Sequence, residues 1–322
     1  MKLRRSIVIL VLAAACLAGA RPYAQTPATQ TPAAQTPTLD GYPTVGSPAA
    51  IKLIDAGAQP RKALRYAIPA TFKGGMDMSM TMAMNVNVGG MAMPMNLPTM
   101  KMSADVAATN IAANGDTSYT LAFSKVDIVG GADANPMLTT ALQGVQSAVT
   151  GIKGTATISN RGTIKSAKID SGDAGQVQQM IGELTSQIEN LATAFPEEAV
   201  GVGAKWETRQ AVKTAGQVTF QKTITEVVSI DGTTVKMKYT TEQTIPPQAL
   251  TNSMLPADVA VQMDGAKGTG SGAMEVHLDS LVPSGESTVT SSMSMTMTMG
   301  GQTQPMTMDN TVKITIAPRP VK

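Results

Sequence analysis

The chain has 322 residues, 43% hydrophobic but only 3% aromatic, with one histidine, one cysteine and a formal net charge of +2. That length suits one large β domain or two smaller ones. Near-neutral charge does not point to a basic nucleic-acid-binding surface, and a single imidazole excludes a histidine-ligated zinc site.

Residues 1–20 read as an export signal. Lys2, Arg4 and Arg5 form a basic start, Ile7 to Ala15 an apolar stretch, and Ala18-Gly19-Ala20 a small-residue cleavage site. A rival processing site exists at Leu12-Ala13-Ala14-Ala15-Cys16, which would leave Cys16 lipidated and the protein tethered to a membrane. Either way the protein is expected outside the cytoplasm, in the periplasm or at the periphery of an outer membrane. Removing residues 1–20 takes the formal charge from +2 to −1 and, once Cys16 is set aside, leaves no thiol for a disulfide or a thiolate site. Residues 21–48 are rich in Pro, Thr, Ala and Gln, with Gln-Thr-Pro at 25, 30 and 35. This composition reads as a disordered tether.

From residue 49 onward the chain reads as β-rich. Strands are expected near 63–88, 99–113, 117–129, 151–159 and 163–169 in a first half (49–198). Others are expected near 203–213, 217–230, 234–245, 267–281, 287–299 and 304–317 in a second half (199–322). Asn114-Gly115 and Asp231-Gly232 are favoured hairpin turns. Gly151-Ile152-Lys153-Gly154-Thr155 returns as Gly265-Ala266-Lys267-Gly268-Thr269, which suggests two related halves.

Two segments have helical spacing. In Pro136 to Val149 the stripe is Met137, Leu138, Ala141, Leu142, Val145 and Val149. In Ala174 to Phe195 it is Val177, Met180, Ile181, Leu184, Ile188 and Leu191, with Pro196 as terminator. Each has one apolar face that needs cover. The expected fold is therefore mainly β with helices (α+β), a curved antiparallel sheet or half-barrel wrapping apolar helices.

Methionine occupies alternate positions at Met76, Met78, Met80, Met82 and Met84, and again at Met293, Met295, Met297 and Met299. Polar residues fill the positions between. On a strand this period places each methionine set on one face. Three uses fit such a face. Methionine can fill a core, it can line a site for hydrophobic ligands of varied shape, or its thioethers can bind Cu(I) or Ag(I).

Other candidates are weaker. Met274, Val276 and Leu278 share one parity while Glu275, His277 and Asp279 share the other, so His277 belongs to the polar face and tells against a histidine-dependent active site. Trp206, after Gly201 and Gly203, reads as a packing anchor at a strand start. No catalytic activity and no cofactor are expected.

Phe195-Pro196, followed by Val200-Gly201-Val202-Gly203-Ala204-Lys205-Trp206, resembles an uncharacterised family of exported bacterial proteins and lipoproteins over most of residues 50–320. That family has no assigned activity, so the resemblance implies no functional residue. More distantly, exported strands wrapping a helix are similar to the lipoprotein-carrier superfamily, whose half-barrel shelters acyl chains; this similarity is one of architecture. The leading expectation is a non-catalytic cell-envelope protein that binds or carries a lipid or acyl chain. A methionine-based Cu(I)/Ag(I) binder and a structural envelope protein without a small ligand are the alternatives.

Overall fold

The computed structural model describes residues 37–130, 146, 149–170, 194–214, 217–250, 259–299 and 302–321. The elements of these residues are β1 (Ala50–Asp55), β2 (Lys73–Val88), β3 (Met91–Asn96), β4 (Thr99–Ile111), β5 (Thr117–Val129), β6 (Lys153–Ile158) and β7 (Ile164–Asp170). They continue with β8 (Lys205–Thr214), β9 (Gln217–Asp231), β10 (Thr234–Ile245), β11 (Gln248–Leu250), β12 (Val259–His277), β13 (Ser284–Met299) and β14 (Gln302–Arg319).

All fourteen join one antiparallel sheet in the order β1-β8-β9-β10-β12-β13-β14-β2-β4-β5-β6-β7. Among the described residues no pairing links β1 to β7, so the sheet is open. β3 extends the line of β4 beside β2, and β11 extends the line of β10 beside β12. Pro98 and the pair Pro246-Pro247 mark these two breaks, because proline has no N–H to give to the ladder. Both halves run as meanders, β2-β4-β5-β6-β7 and β8-β9-β10-β12-β13, and β14 sutures β13 to β2. The hairpins at Gly115 (φ +83°) and Gly232 (φ +55°) hold glycine where a left-handed backbone is required.

Strand alternation gives the sheet two unlike faces. The outward face carries directly opposed charges: Lys222 with Glu242 at 2.7 Å, Lys238 with Glu226 at 3.0 Å and Lys236 with Glu275 at 3.3 Å. Such pairs add little stability individually, but they disfavour any one-residue slip of register. The inward face is curled on itself. Tyr119, Leu121 and Phe123 of β5 belong to the same buried cluster as Trp206 of β8, although several strands separate β5 from β8 along the sheet.

The α+β expectation is therefore corrected. Every element among the described residues is a strand, and no helix is wrapped by the sheet there. The two segments with helical spacing lie outside the described residues except for Gln146 and Val149, which are helical, and Ala194 and Phe195, which are not. An apolar helical stripe implied a sheet to cover it, and the converse inference, that the sheet needs a helix, fails for a physical reason. Curling lets the inner face bury its own side chains, and irregular chain closes one end.

That closing chain comes from 56–72 and 194–204. Lys62 and Val200 exchange backbone hydrogen bonds of 3.0 and 2.9 Å, Tyr66 N–H donates to Asn160 O at 2.7 Å, and Ala67 N–H donates to Leu278 O at 2.7 Å. Leu64, Tyr66 and Ile68 all turn into the core. Alternation at 63–72 thus reflects burial without a strand ladder. A Cβ on Gly201 would lie 1.8 Å from the carbonyl oxygen of Ala58, so the Gly-Val-Gly motif is where these two segments touch. Of the expected tether, residues 37–48 are described, and there Tyr42 stacks edge-on against Phe220 of β9 at 5.3 Å.

Candidate functional site

The inward positions of β14 trace the interior from end to end. Ile316 and Ile314 belong to the large core, Met308 and Met306 belong to a second apolar cluster, and Val312 and Asn310 lie between. A cavity of about 1550 Å³, partly open to solvent, lies along that middle stretch.

Register aligns the inward residues of β8, β9, β10, β12, β13, β14 and β2 in three rows, and all of their side chains except Met82 and Met84 line the cavity. The first is Trp206, Thr225, Tyr239, Gly272, Ser287, Ile314 and Met80. The second is Thr208, Thr223, Thr241, Gly270, Val289, Val312 and Met82, and the third is Gln210, Gln221, Gln243, Gly268, Ser291, Asn310 and Met84. Trp206 and Asn310 excepted, the rows carry hydroxyls and amides on β8 to β10 and aliphatic or thioether groups on β14 and β2. The wall is therefore amphipathic across the sheet rather than along it.

The polar side is internally bonded. Gln243 Nε2 donates to Gln221 Oε1 at 3.2 Å, Gln221 Nε2 to Thr223 Oγ1 at 3.4 Å, Thr223 Oγ1 to Thr241 Oγ1 at 3.1 Å, and Thr241 Oγ1 to the Lys222 carbonyl at 3.3 Å. This chain satisfies groups that would otherwise be costly inside a protein. Tyr239 lies among them, and burial pushes its phenol above its ordinary value, partly offset by a hydrogen bond with Ser287. Asn310 Oδ1 is buried with no hydrogen-bond partner.

Glycine divides the two sides. Gly268, Gly270 and Gly272 face inward on β12, and a Cβ at Gly272 would stand 2.5 Å from both the Tyr239 ring and the Glu286 carbonyl. At Gly270 it would meet Val289 Cγ2 at 2.8 Å and Thr241 Cγ2 at 2.9 Å. The missing side chains let neighbours lean over β12. At the periphery the hairpin tips contribute Asn114, Asp116, Asn160 and Lys165. Asp116 pairs with Lys165, and that hydrogen bond holds its carboxyl below the usual carboxylate range.

The methionines expected to act together are split by this architecture. Met76, Met78 and Met80 line the cavity. Met82 is half-buried and sits opposite Val312. Met84, Met293 and Met295 instead pack with Met93, Met95, Met263, Met306 and Met308 in the second cluster. Met297 is buried opposite Gln304, whereas the side chain of Met299, like Cys16, lies outside the described residues. Met237 and Met274 join the cavity from β10 and β12. His277 is on the outward face, 3.1 Å from Thr234 Oγ1 and 3.1 Å from Glu275 Oε1. Trp206 is 1% exposed, 6.4 Å from the Phe195 ring, and forms part of the cavity wall. Among the described residues no group of three or more His, Cys, Asp or Glu side chains could hold a metal ion.

The polar rows escape sequence reading because Gln221, Thr223 and Thr225 face inward while Ile224, between them, has the outward parity, so period-two hydrophobicity points to the wrong face there. The legible signal was Gly268-Thr269-Gly270-Ser271-Gly272, three glycines of one parity inside a strand.

The chain matches no protein-family model and no curated protein. Among solved structures it is similar to an outer membrane channel from Pseudomonas putida F1, at 5% identity over 79% of this chain and 98% of that one, with a TM-score of 0.22. A likeness that slight carries no argument. The polarity of the sheet is also the reverse of a membrane-spanning barrel, which shows an apolar band outward. Here the outward strands of β9, β10 and β12 carry the ion pairs.

Proposed function

We propose that this chain is an exported, non-catalytic protein of the cell envelope that binds or carries a lipid or acyl chain in the interior of its curled sheet. The observation that carries this reading is the cavity of about 1550 Å³ with Met76, Met78 and Met80 on one wall. Its volume exceeds the ~300–1,000 Å³ of pockets that hold drug-sized ligands, which favours a long-chain guest. Flexible thioether side chains accommodate chains of differing length and unsaturation. The opposite wall of Gln and Thr supplies hydrogen-bonding groups for a polar head, so an amphiphile suits the site better than a pure hydrocarbon. Export rests on the sequence pattern of residues 1–20, and a membrane tether through Cys16 would place the carrier at a lipid surface.

Trp206 makes the test direct. It is the only tryptophan of the chain and stands in the cavity wall. Titration with a dibromostearic acid, whose bromines quench indole at contact, should extinguish its emission saturably. Organic extraction of the purified protein followed by mass spectrometry should release the natural guest. Replacing Met78 and Met80 together with glutamine removes side chains worth ~1.5–3 kcal/mol each when buried, so the brominated probe should bind at least tenfold more weakly. An empty extract together with unquenched Trp206 would defeat the carrier reading.

A further inference from the structure

The second apolar cluster, beyond the cavity, is unusual in composition. Eight of its twelve hydrophobic residues are methionines, whereas the large core holds only Met76, Met102 and Met237 among its buried residues. A cluster meant only to exclude water is better specified by branched side chains with few rotamers, as the Val, Ile and Leu of the large core show. The concentration of sulfur is local to one end of the sheet.

Register aligns that sulfur. Met263 of β12 is directly opposite Met295 of β13, and Met295 is directly opposite Met306 of β14. The adjoining row pairs Met293 with Met308. Directly opposed side chains on one face start ~4.5–5.5 Å apart at Cβ, so Met295 is a direct neighbour of both others, while Met263 and Met306 start ~10 Å apart on either side of it, a gap that their flexible side chains can close by leaning toward Met295. This alignment depends on a bulge. Down to Ala266 the inward residues of β12 are even-numbered, but the register shifts between Met263 and Gly265, where Gly265 takes φ +140°, and odd-numbered Met263 becomes buried. Without the shift Met263 would face solvent, since β-bulges reverse which side chain looks inward. Thr296 Oγ1 donates to Asp264 Oδ2 at 2.7 Å and holds the bulge from the outward side.

The sulfur of Met263 is also accessible to polar partners, accepting a hydrogen bond from Gln217 Nε2 at 3.2 Å. Met93 and Met95 of β3 pack against the same cluster while only half-buried, which leaves thioethers leading from the surface toward the row.

We infer that the Met263–Met295–Met306 row is a binding site for a soft monovalent cation, Cu(I) or Ag(I). Neutral thioethers select such ions over hard divalent cations, and three on adjacent strands, the outer two leaning toward Met295, can supply a trigonal donor set. The site is separate from the lipid cavity, and neither reading requires the other.

The test uses the full chain carrying Cys16→Ser, so that no thiol competes. Under anaerobic conditions the protein is titrated against a colorimetric Cu(I) chelator, alongside two double variants, Met295→Leu with Met306→Leu and Met78→Leu with Met80→Leu. Leucine preserves volume and burial. The parent protein should withdraw one equivalent of Cu(I). The first double variant should bind at least tenfold more weakly, and the cavity variant should bind like the parent. A parent that leaves the chelator fully loaded, a first variant that retains Cu(I), or loss of binding only in the cavity variant overturns the assignment. Should the first variant misfold, methyl-labelled methionine in the parent decides the matter: Ag(I) must shift the ε-methyl resonances of Met263, Met295 and Met306 first, and shifts elsewhere alone refute the site.

Discussion

Phe195→Ala is the sharpest perturbation of the closed end of the interior. Phe195 is 0% exposed and lies 5.4 Å from the ring of Tyr66 and 6.4 Å from that of Trp206. Its backbone is independently fastened, with its N–H donating to Arg161 O at 2.8 Å and its carbonyl accepting from Arg161 Nε at 3.1 Å. Truncation should therefore leave a cavity instead of a collapsed loop, which places the cost near ~3–5 kcal/mol. Against a total stability of ~5–15 kcal/mol this is a large fraction, and at ~2–4 °C per kcal/mol it lowers Tm by roughly 6–20 °C. Thermal unfolding followed by Trp206 emission and by far-UV circular dichroism should give one coincident, lowered transition. Phe195→Leu should fall between variant and parent. A shift below about 2 °C for Phe195→Ala would mean that the aromatic stack does not hold the end of the interior closed.

Three further outcomes follow from single groups. Gly201→Ala drives a methyl toward the Ala58 carbonyl 1.8 Å away, both on backbone, and should cost at least the ~1–3 kcal/mol of an overpacked core in urea unfolding; parity with the parent would show that the two segments do not touch. Asn310→Leu removes a buried carbonyl without a partner and should stabilise the free protein by ~1–3 kcal/mol, a sign that chemical denaturation reads directly; a loss of stability would show that Oδ1 has a partner in solution. The carboxyl of Asp116 is held low by Lys165, so its contribution is present above the ordinary carboxylate range near ~4 and is lost as pH falls through the lowered folded value. The effect is that of a surface pair, under ~1 kcal/mol, and Asp116→Asn should flatten the Tm profile between pH 6 and pH 3.

Strand positions were legible where the two faces contrast. The expected 117–129 and 234–245 match β5 and β10, because each carries apolar residues at alternate positions and is flanked by a glycine turn. β1, β3 and β11 were not foreseen. They are 6, 6 and 3 residues long, and β3 contains a proline inside Met91–Asn96. Such pieces form because a longer neighbour offers its edge. At 63–72 the failure runs the other way. Leu64, Tyr66 and Ile68 alternate into the core, yet their backbone partners are the turn residue Asn160 and the strand end at Leu278, so the pattern reports burial alone.

The site was half legible for a related reason. Alternating methionines announced an inward face, and Met76 through Met84 do share that parity, but sequence spacing cannot say where along a long strand the filled volume ends. On β2 the division falls inside the run. Met76 is packed in the large core and, with Met78 and Met80, also lines the cavity, while Met84 belongs to the second cluster. What sets the division is on other strands, where Gly268, Gly270 and Gly272 withdraw volume from β12, and the bulge before Gly265 brings Met263 back inward. Two inward devices on a single strand therefore separate an interior that is hollow from one that is packed with sulfur. One methionine-rich face can thus carry a lipid reading at its centre and a soft-metal reading at its end, each open to its own substitution.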